Sequence, residues 1–297
     1  MTYPPLTRTD RFWRWTAQAI DRRVLAAVAS QRGLRLLFAL SARLSSAFPA
    51  DAAVRTDPDG ALWLRPGGVA RDAGVLLYVH GGGFTIGSPR THAALAAHLA
   101  RAAGLRAVLP RYRLAPEHPF PAARDDIIAA HARLVGAGLF PVALAGDSAG
   151  GNLALLLAQH LRDTGQPLPR AMALIAPAAD LSGDIAARFA AAPGEMLIPP
   201  QWARRIRAAY LGGRDPADPA ISPLLGDLAG LPPAMIQSGA EEALAAEARR
   251  LVAAMDDATH DPWPGLPHVW HLHAGKMPAA DAALARMGAF LRTRTAP

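Results

Sequence analysis

The chain has 297 residues, of which 51% are hydrophobic and 19% are charged. This length holds one large α/β domain or two ordinary ones, and the composition excludes a disordered protein. The net charge is +7, but the arginines are scattered and Lys276 is the only lysine, so we expect no nucleic-acid partner. The absence of cysteine excludes disulfides, thiolate metal sites and a cysteine nucleophile, and it fits the cytoplasmic location that we expect.

The N-terminal residues predict a pair of amphipathic helices. Apolar side chains recur at helical spacing over residues 9–47, and a second helix is expected at about residues 34–44, after Gly33. Charged residues, among them Asp21, Arg32 and Arg35, break the N-terminal apolar run, so we expect no cleaved signal peptide. No window approaches the ~20 apolar residues of a spanning helix, so we expect no stable membrane insertion. A basic pair of this kind is able to lie on a membrane surface, but we expect its apolar stripe to pack on the main domain.

Strands and helices alternate from residue 74 onward. The all-apolar run Val75–Val79 is typical of a strand that is covered on both faces. The alternation predicts an α/β fold with a mostly parallel central sheet and helices on both faces. The other strands of this region are expected at residues 105–109, 142–145, 171–176 and 234–238, and the helices at 91–103, 122–136, 152–159, 243–255 and 279–292. A short strand at residues 61–65 is expected before it.

Two segments fall outside this alternation and predict a helical cap. We expect residues 1–50 to form an N-terminal helical cap segment and residues 181–213 to form a cap insertion. Residues 51–180 and 214–297 are then the first and second parts of the core.

The chemistry is organised around Ser148, which stands at the centre of a Gly-x-Ser-x-Gly motif between an apolar strand and an apolar helix. Small residues around it allow a tight turn, which projects the hydroxyl from the carboxyl edge of the sheet. The alternative is a glycine-serine loop that merely caps a helix. A serine nucleophile needs a histidine, an acid and an oxyanion hole, and an α/β-hydrolase has the order serine, acid, histidine.

A candidate oxyanion hole precedes the serine. Three consecutive glycines, at residues 81–83, follow His80 directly after the strand that ends at Val79. Glycines let backbone N–H groups approach a developing negative charge, and the N–H of Ala149 at the helix entry completes the cradle. The loop does not fit G-x-G-x-x-G, and no Walker lysine follows it, which argues against a nucleotide site.

With these motifs in place, the chain resembles the hormone-sensitive-lipase-like branch of the α/β-hydrolases, which includes bacterial carboxylesterases. The resemblance runs from about residue 60 to the C-terminus. It implies that Gly82, Gly83 and Ala149 supply the oxyanion N–H groups. The motifs that carry it are HGGGF at 80–84, YRLAPEHPFPA at 112–122, GDSAGG at 146–151, SPL at 222–224, GLPP at 230–233 and WPGLPHVW at 263–270.

The resemblance also implies a triad acid. The stretch that begins at Gly239, Gly-Ala-Glu-Glu-Ala-Leu, takes the place of the family's Gly-x-x-Asp-Pro-Leu. Counting from Gly239 assigns the acid to Glu242, with Glu241 as the competing neighbour. Both glutamates also suit the first turn of a helix, where the dipole favours a carboxylate.

Three histidines compete for the role of general base: His268, His271 and His273. His268 occupies the place of the family's catalytic histidine. The three together suggest a metal site, but no cysteine or nearby carboxylate completes a ligand set, so we expect no metal and no organic cofactor. Asp147 is expected to brace the turn, because adjacent residues of the elbow point apart.

Two stretches differ from the sequence pattern of the family. An Asp-Pro stretch expected in the insertion is replaced by residues 192–200, and the strand expected before the catalytic histidine is poorly represented by Thr-His-Asp-Pro-Trp at 259–263. These departures concern the cap and the acyl pocket and leave the triad untouched.

The sequence therefore predicts a serine carboxylesterase that acts through an acyl-enzyme. Ser148 attacks, His268 serves as general base and then general acid, and Glu242 orients His268. The expected substrates are short- to medium-chain or small hydrophobic esters. Two alternatives stay open: a non-catalytic small-molecule receptor on the same fold, and a lactonase, amidase or acyltransferase with the same triad. A small-molecule ester is the expected partner, and a homodimer is a candidate assembly.

Overall fold

The computed structural model describes residues 2–296 and contains a central eight-stranded sheet. Its strands are β1 (Ala53–Thr56), β2 (Leu62–Arg65), β3 (Val75–Val79), β4 (Arg106–Leu109), β5 (Pro141–Asp147), β6 (Ala171–Ile175), β7 (Ala234–Gly239) and β8 (Ala258–Trp263). Their order across the sheet is β1-β2-β4-β3-β5-β6-β7-β8. β1 and β2 are antiparallel, as are β2 and β4, whereas β3 to β8 run parallel. The prediction of a mostly parallel sheet is confirmed.

Ten α-helices accompany the sheet within residues 2–296. They are α1 (Arg8–Thr16), α2 (Arg22–Ala27), α3 (Gln31–Ser45), α4 (Ala93–Ala103), α5 (Ala122–Gly136), α6 (Ala149–Asp163), α7 (Ile185–Ala191), α8 (Pro200–Leu211), α9 (Ala245–Ala254) and α10 (Pro278–Thr295). A π-helical turn, Ala17–Asp21, joins α1 to α2. α3 begins before its predicted start at residue 34, because the Ser30 hydroxyl caps it by accepting a hydrogen bond from the N–H of Gly33.

Strand β3 shows how the sheet divides the core into two layers. Val75, Leu77 and Val79 pack in one apolar cluster with side chains of α5, α6 and α9. The alternate residues, Leu76 and Tyr78, pack in a second cluster with α4 and α10. Because successive side chains of a strand point to opposite faces, an all-apolar run is buried on both sides, as the sequence predicts.

The expectation that residues 259–263 form no proper strand is wrong. β8 pairs in parallel with β7 along its whole length. Pro262 is tolerated there because β8 is an edge strand, which needs hydrogen bonds on one side only. The buried carboxylate of Asp261 accepts hydrogen bonds from Gln237 and from the indole of Trp263. These partners make an acidic residue compatible with the strand.

β1, at the opposite edge of the sheet, was also not predicted from the sequence. All four of its residues are exposed. A strand without a buried face carries no alternating hydrophobic pattern, so periodicity alone does not predict it.

The N-terminal helices contact the inserted helices directly. The guanidinium of Arg22 donates to the carbonyl oxygens of Glu195 and Ile198, and α2 packs against α8. Among the described helices, none has both the length and the apolar character to cross a membrane.

The expected packing of the N-terminal apolar stripe is found only in part. Of the predicted stripe, Ala17 is buried and Trp13, Val24 and Leu25 are partly buried, but Ile20 is 47% exposed. Other apolar side chains of these helices are exposed as well: Trp15 is 55% exposed and Leu44 is 73% exposed.

Candidate active site

Ser148 lies at the junction of β5 and α6, where the chain turns sharply. Its φ of 51° lies in the left-handed region, which a residue with a side chain rarely adopts. Its N–H donates to the carbonyl of Ile175, and its own carbonyl accepts from the N–H groups of Asn152 and Ala178. These bonds hold the strained turn in place and set the serine at the carboxyl edge of the sheet.

The glycine that follows the elbow is required by close packing. A Cβ on Gly150 would lie 2.1 Å from the carbonyl oxygen of Val79 and 2.6 Å from that of His80. Both are backbone atoms and cannot move aside. Only glycine therefore lets α6 begin against the end of β3, which explains this position of the Gly-x-Ser-x-Gly motif.

The glycine loop after β3 faces the same edge of the sheet. Gly82 has a φ of +110°, and its carbonyl accepts hydrogen bonds from the N–H groups of Thr85 and Ile86. Gly82 and Gly83 line the same cavity as Ser148. Ala149 is the first residue of α6, and the first N–H groups of a helix have no partner within the helix.

Asp147 supports the turn from behind, as predicted. One carboxylate oxygen accepts hydrogen bonds from the Tyr78 hydroxyl at 2.8 Å and from the Gly81 N–H at 3.0 Å. The other lies 3.3 Å from Nε2 of His92. Burial raises the pKa of Asp147, but His92 and the hydrogen bonds outweigh that effect and lower the pKa overall. An ionised Asp147 therefore ties the elbow to the glycine loop.

Glu242 and His268 form a buried pair. Oε2 of Glu242 lies 2.6 Å from Nδ1 of His268, and Oε1 accepts the Gly239 N–H at 2.7 Å. The neighbouring Glu241 accepts instead from the N–H of Gly265, at 2.9 Å. Of the two candidate acids, Glu242 is the one that contacts the histidine.

The pair fixes the tautomer of His268. A carboxylate only accepts hydrogen bonds, so Nδ1 carries the proton and Nε2 is free to act as a base. Burial lowers the pKa of His268, but the charge and hydrogen bond of Glu242 outweigh burial and raise the pKa above its ordinary value. For Glu242, burial raises the pKa, and the contact with His268 only partly offsets this.

The two other candidate histidines have other partners, although His273 also lines the cavity that His268 and Ser148 line. Nε2 of His271 is 2.9 Å from the side-chain oxygen of Gln237, and burial lowers the pKa of His271 to about 3. His273 stacks on Trp13, and burial lowers its pKa to about 4. Both histidines are neutral and serve packing. In the part of the chain from residue 2 to 296, no three His, Asp or Glu side chains form a group suited to a metal ion.

Two cavities meet at Ser148. The larger, of about 420 Å³, extends under the N-terminal helices and is lined by Gly82, Ser148 and His268 at its inner end. The smaller, of about 40 Å³, lies on the side of the inserted helices. Its apolar lining includes Ile185, Phe189, Ile198, Trp202, Ile206 and Leu244. A group bound to the serine has one narrow and one wide space beside it.

Sequence reasoning missed the contribution of Arg35, on α3. Its guanidinium donates to the carbonyl oxygens of Thr85, at 2.8 Å, and Ala115, at 3.0 Å, and it forms a bidentate pair with Glu117. Arg35 thus ties an N-terminal helix to the glycine loop. Glu117 belongs to the motif at residues 112–122, but nothing in the sequence identifies its distant partner.

Comparisons with known proteins agree with this geometry. A family model described as alpha/beta hydrolase fold matches residues 76–272. An acetyl-hydrolase from Streptomyces hygroscopicus is 44% identical over 239 residues, which is 78% of this chain and 79% of that protein. A crystal structure of an esterase from the bacterial hormone-sensitive lipase family is 35% identical, with a TM-score of 0.88 and full coverage of both chains. A mutant of the esterase E40 is also 35% identical, with a TM-score of 0.89 over 98% of this chain and 100% of that one. The predicted fold and the predicted resemblance are confirmed.

Proposed function

We propose, since this chain belongs to the α/β-hydrolase family, that it is a serine carboxylic-ester hydrolase with Ser148 as the nucleophile. One observation carries the proposal: the buried contact of 2.6 Å between His268 and Glu242 lies at a cavity that Ser148 also lines. This arrangement offers a base with a fixed tautomer at the same cavity as a serine held in a strained turn.

In the first half of the reaction, the Ser148 hydroxyl attacks the ester carbonyl carbon while His268 Nε2 takes its proton. The carbonyl oxygen becomes an oxyanion, which accepts hydrogen bonds from the N–H groups of Gly82, Gly83 and Ala149. The imidazolium then gives its proton to the alcohol oxygen, the C–O bond breaks, and the acyl group stays on the serine. Glu242 stabilises the imidazolium throughout.

In the second half, water takes the place of the alcohol. His268 removes a proton from the water as it attacks the acyl carbon, and the second tetrahedral oxyanion uses the same three N–H groups. Its collapse returns the proton to Ser148 and releases the carboxylic acid. The chemistry of this cycle needs no group beyond the chain and water.

The two cavities suggest how the ester is oriented. His268 lines the large cavity, whereas the lining of the small one includes Ser148 and Ala149 but not His268. Because the histidine must protonate the leaving alcohol, we place the alcohol part of the ester in the cavity of about 420 Å³. The acyl part then enters the apolar space of about 40 Å³.

This orientation favours a short acyl chain on a larger apolar alcohol. A space of about 40 Å³ suits an acetyl or similarly small group, and a longer chain would have to displace Phe189 or Trp202. The acetyl-hydrolase relative at 44% identity supports the same preference. Medium-chain acyl groups, which the sequence leaves open, are expected to react more slowly.

We further propose that residues 1–50 and 181–213 act as a cap over a core made of residues 51–180 and 214–297. The first segment supplies much of the lining of the large cavity, and the second supplies much of the small one. A cytoplasmic location and a homodimer stay predictions.

Hydrolysis of p-nitrophenyl esters of graded acyl length tests the function. We expect the acetate ester to have the highest kcat/KM, with a decrease as the acyl chain lengthens, and the Ser148→Ala variant to lose about 10⁵-fold or more in kcat. Esters that keep the acetyl group but carry bulkier alcohols should retain high kcat/KM. A wild-type rate no greater than that of Ser148→Ala would contradict the function, and a preference for octanoate would contradict the orientation alone.

A further inference from the structure

Exposed apolar side chains are concentrated on the N-terminal helices. Within residues 2–296, eight of the eleven exposed large hydrophobic side chains lie between residues 12 and 48. We call these eight the apolar patch: Phe12, Trp15, Ile20, Leu36, Leu37, Leu40, Leu44 and Phe48. Leu36, Leu40 and Leu44 are four residues apart on α3, so they share one face of that helix. Large exposed apolar patches usually mark sites of interaction with proteins, ligands or membranes.

The same helices are strongly basic. Residues 8–48 contain eight arginines and only two acidic residues, Asp10 and Asp21. Asp10 is buried, where it caps α1 and accepts the N–H of Ala279. Asp21 is partly buried and lines the large cavity. The exposed arginines on these helices therefore face no exposed carboxylate of the same segment; they are Arg8, Arg11, Arg23, Arg32 and Arg43.

The mouth of the large cavity opens within the apolar patch. Ile20, Leu37 and Leu44 are 47%, 42% and 73% exposed, and all three also line the cavity that reaches Ser148. The outer surface and the inner cavity are thus continuous through these side chains.

We propose that the apolar patch docks reversibly on an anionic lipid surface. Helices with exposed aromatic and leucine side chains and basic neighbours lie in the interface plane of a bilayer, where apolar burial and attraction to anionic headgroups add. A second copy of the chain fits this surface less well, because a two-fold contact would set the arginines of one copy against those of the other.

Docking in this way turns the cavity mouth toward the lipid. Apolar esters dissolved there reach Ser148 through the cavity without crossing water. This consequence rests on the proposed function, whereas the docking itself does not.

Flotation with lipid vesicles tests the docking, using the full chain and no ester. We expect binding to vesicles of phosphatidylglycerol and phosphatidylcholine in equal amounts, and at least about tenfold weaker binding to phosphatidylcholine alone. Raising the salt concentration should weaken the binding, because salt screens the arginines. Leu36→Ser/Leu40→Ser should reduce binding about tenfold or more, and so should Arg11→Glu/Arg43→Glu.

Matched controls change the same residue types elsewhere. Phe140 is 54% exposed and Arg71 is exposed, and both lie outside the N-terminal helices. Phe140→Ser and Arg71→Glu should bind vesicles like the wild type. Leu36 and Leu40 are not among the residues that line the large cavity, so hydrolysis of p-nitrophenyl acetate and the far-UV circular dichroism spectrum should not change in Leu36→Ser/Leu40→Ser.

Three results would overturn the proposal: no binding of the wild type to the anionic vesicles, equal losses in the control variants, or a dimer in sedimentation velocity that Leu36→Ser/Leu40→Ser dissociates. If Leu36→Ser/Leu40→Ser does not fold, the vesicle binding of Arg11→Glu/Arg43→Glu tests the proposal in its place, and wild-type binding by that variant would overturn it. An inactive protein that binds vesicles would contradict the proposed function and leave the docking intact.

Discussion

Glu242 contacts the ring of His268 at 2.6 Å, whereas its neighbour Glu241 is held by the backbone of Gly265. Adjacent residues of the same type thus have separate partners. A variant of Glu242 therefore tests the role of the acid, and the same change at Glu241 is its control.

Glu242→Gln should lower kcat about 10³- to 10⁴-fold, because an amide neither enforces the useful tautomer of His268 nor stabilises its cation. Glu241→Gln should change kcat by no more than a few fold. Steady-state hydrolysis of p-nitrophenyl acetate measures both. Equal losses in the two variants, or a larger loss in Glu241→Gln, would contradict the assignment.

The pH dependence of kcat/KM follows from the raised pKa of His268. The base must be neutral, so activity is lost as the pH falls through this pKa, and the midpoint of the acid limb should lie above the ordinary histidine value of about 6.5. In Glu242→Gln the charge that raises the pKa is gone, so the midpoint should move to lower pH. Glu241→Gln should keep the wild-type midpoint. An unchanged midpoint in Glu242→Gln would show that another group titrates.

Gly150→Ala should destabilise the fold by about 3 kcal/mol or more, because the new methyl group meets the backbone oxygen of Val79 at 2.1 Å. Gly136, at the end of α5, is the matched control, since a Cβ there meets nothing within 4 Å. Gly136→Ala should be neutral or stabilising by about 0.5–1 kcal/mol. Urea unfolding of the two variants measures the difference, and similar stabilities would refute the steric explanation.

The contact between Arg188 on α7 and Glu247 on α9 anchors the insertion to the core. Burial raises the pKa of Glu247 to about 7, although Arg188 opposes this. The pKa of Glu247 is higher in the folded state than in the unfolded chain. The contribution of this carboxyl group to the free energy of unfolding is therefore complete at low pH and is lost as the pH rises through 7. Removing Arg188 raises the pKa further and extends the loss to higher pH.

Arg188→Leu should therefore destabilise the fold by about 2–3 kcal/mol at pH 8 and by clearly less at pH 5.5, where Glu247 is protonated. Arg250→Leu is the control: this arginine pairs with Asp180, but its side chain is 51% exposed, so the loss should stay below about 1 kcal/mol. Urea unfolding at both pH values measures these losses. A loss in Arg188→Leu that does not depend on pH would contradict the role of Glu247.

Local motifs predict most of the fold and the placement of the candidate site. The turn around Ser148 and the loop containing Gly82 depend on glycines that stand beside them in the chain, and their conformations follow from nearby residues. Counting from Gly239, as the family resemblance implies, leads to Glu242, and this is the glutamate that contacts His268.

Features that depend on distant partners were not predictable from the sequence. β8 looks unsuited to a strand until Gln237 supplies a hydrogen bond to Asp261. Arg35 gives no sign that it binds Thr85, fifty residues away. The exposure of Leu36 and Leu44 is not predictable either. Hydrophobic periodicity predicts an apolar stripe on a helix, but it does not predict how much of the stripe is buried.

The most direct test of the central claim, that Ser148 is an activated nucleophile, is covalent labelling with a fluorophosphonate, read by mass spectrometry of the intact chain and its peptides. We predict one label per chain, on the peptide that contains Ser148, with none on Ser148→Ala and at least about 10²-fold slower labelling of Glu242→Gln. A wild-type chain that stays unlabelled, or a label on another residue that persists in Ser148→Ala, would contradict the account.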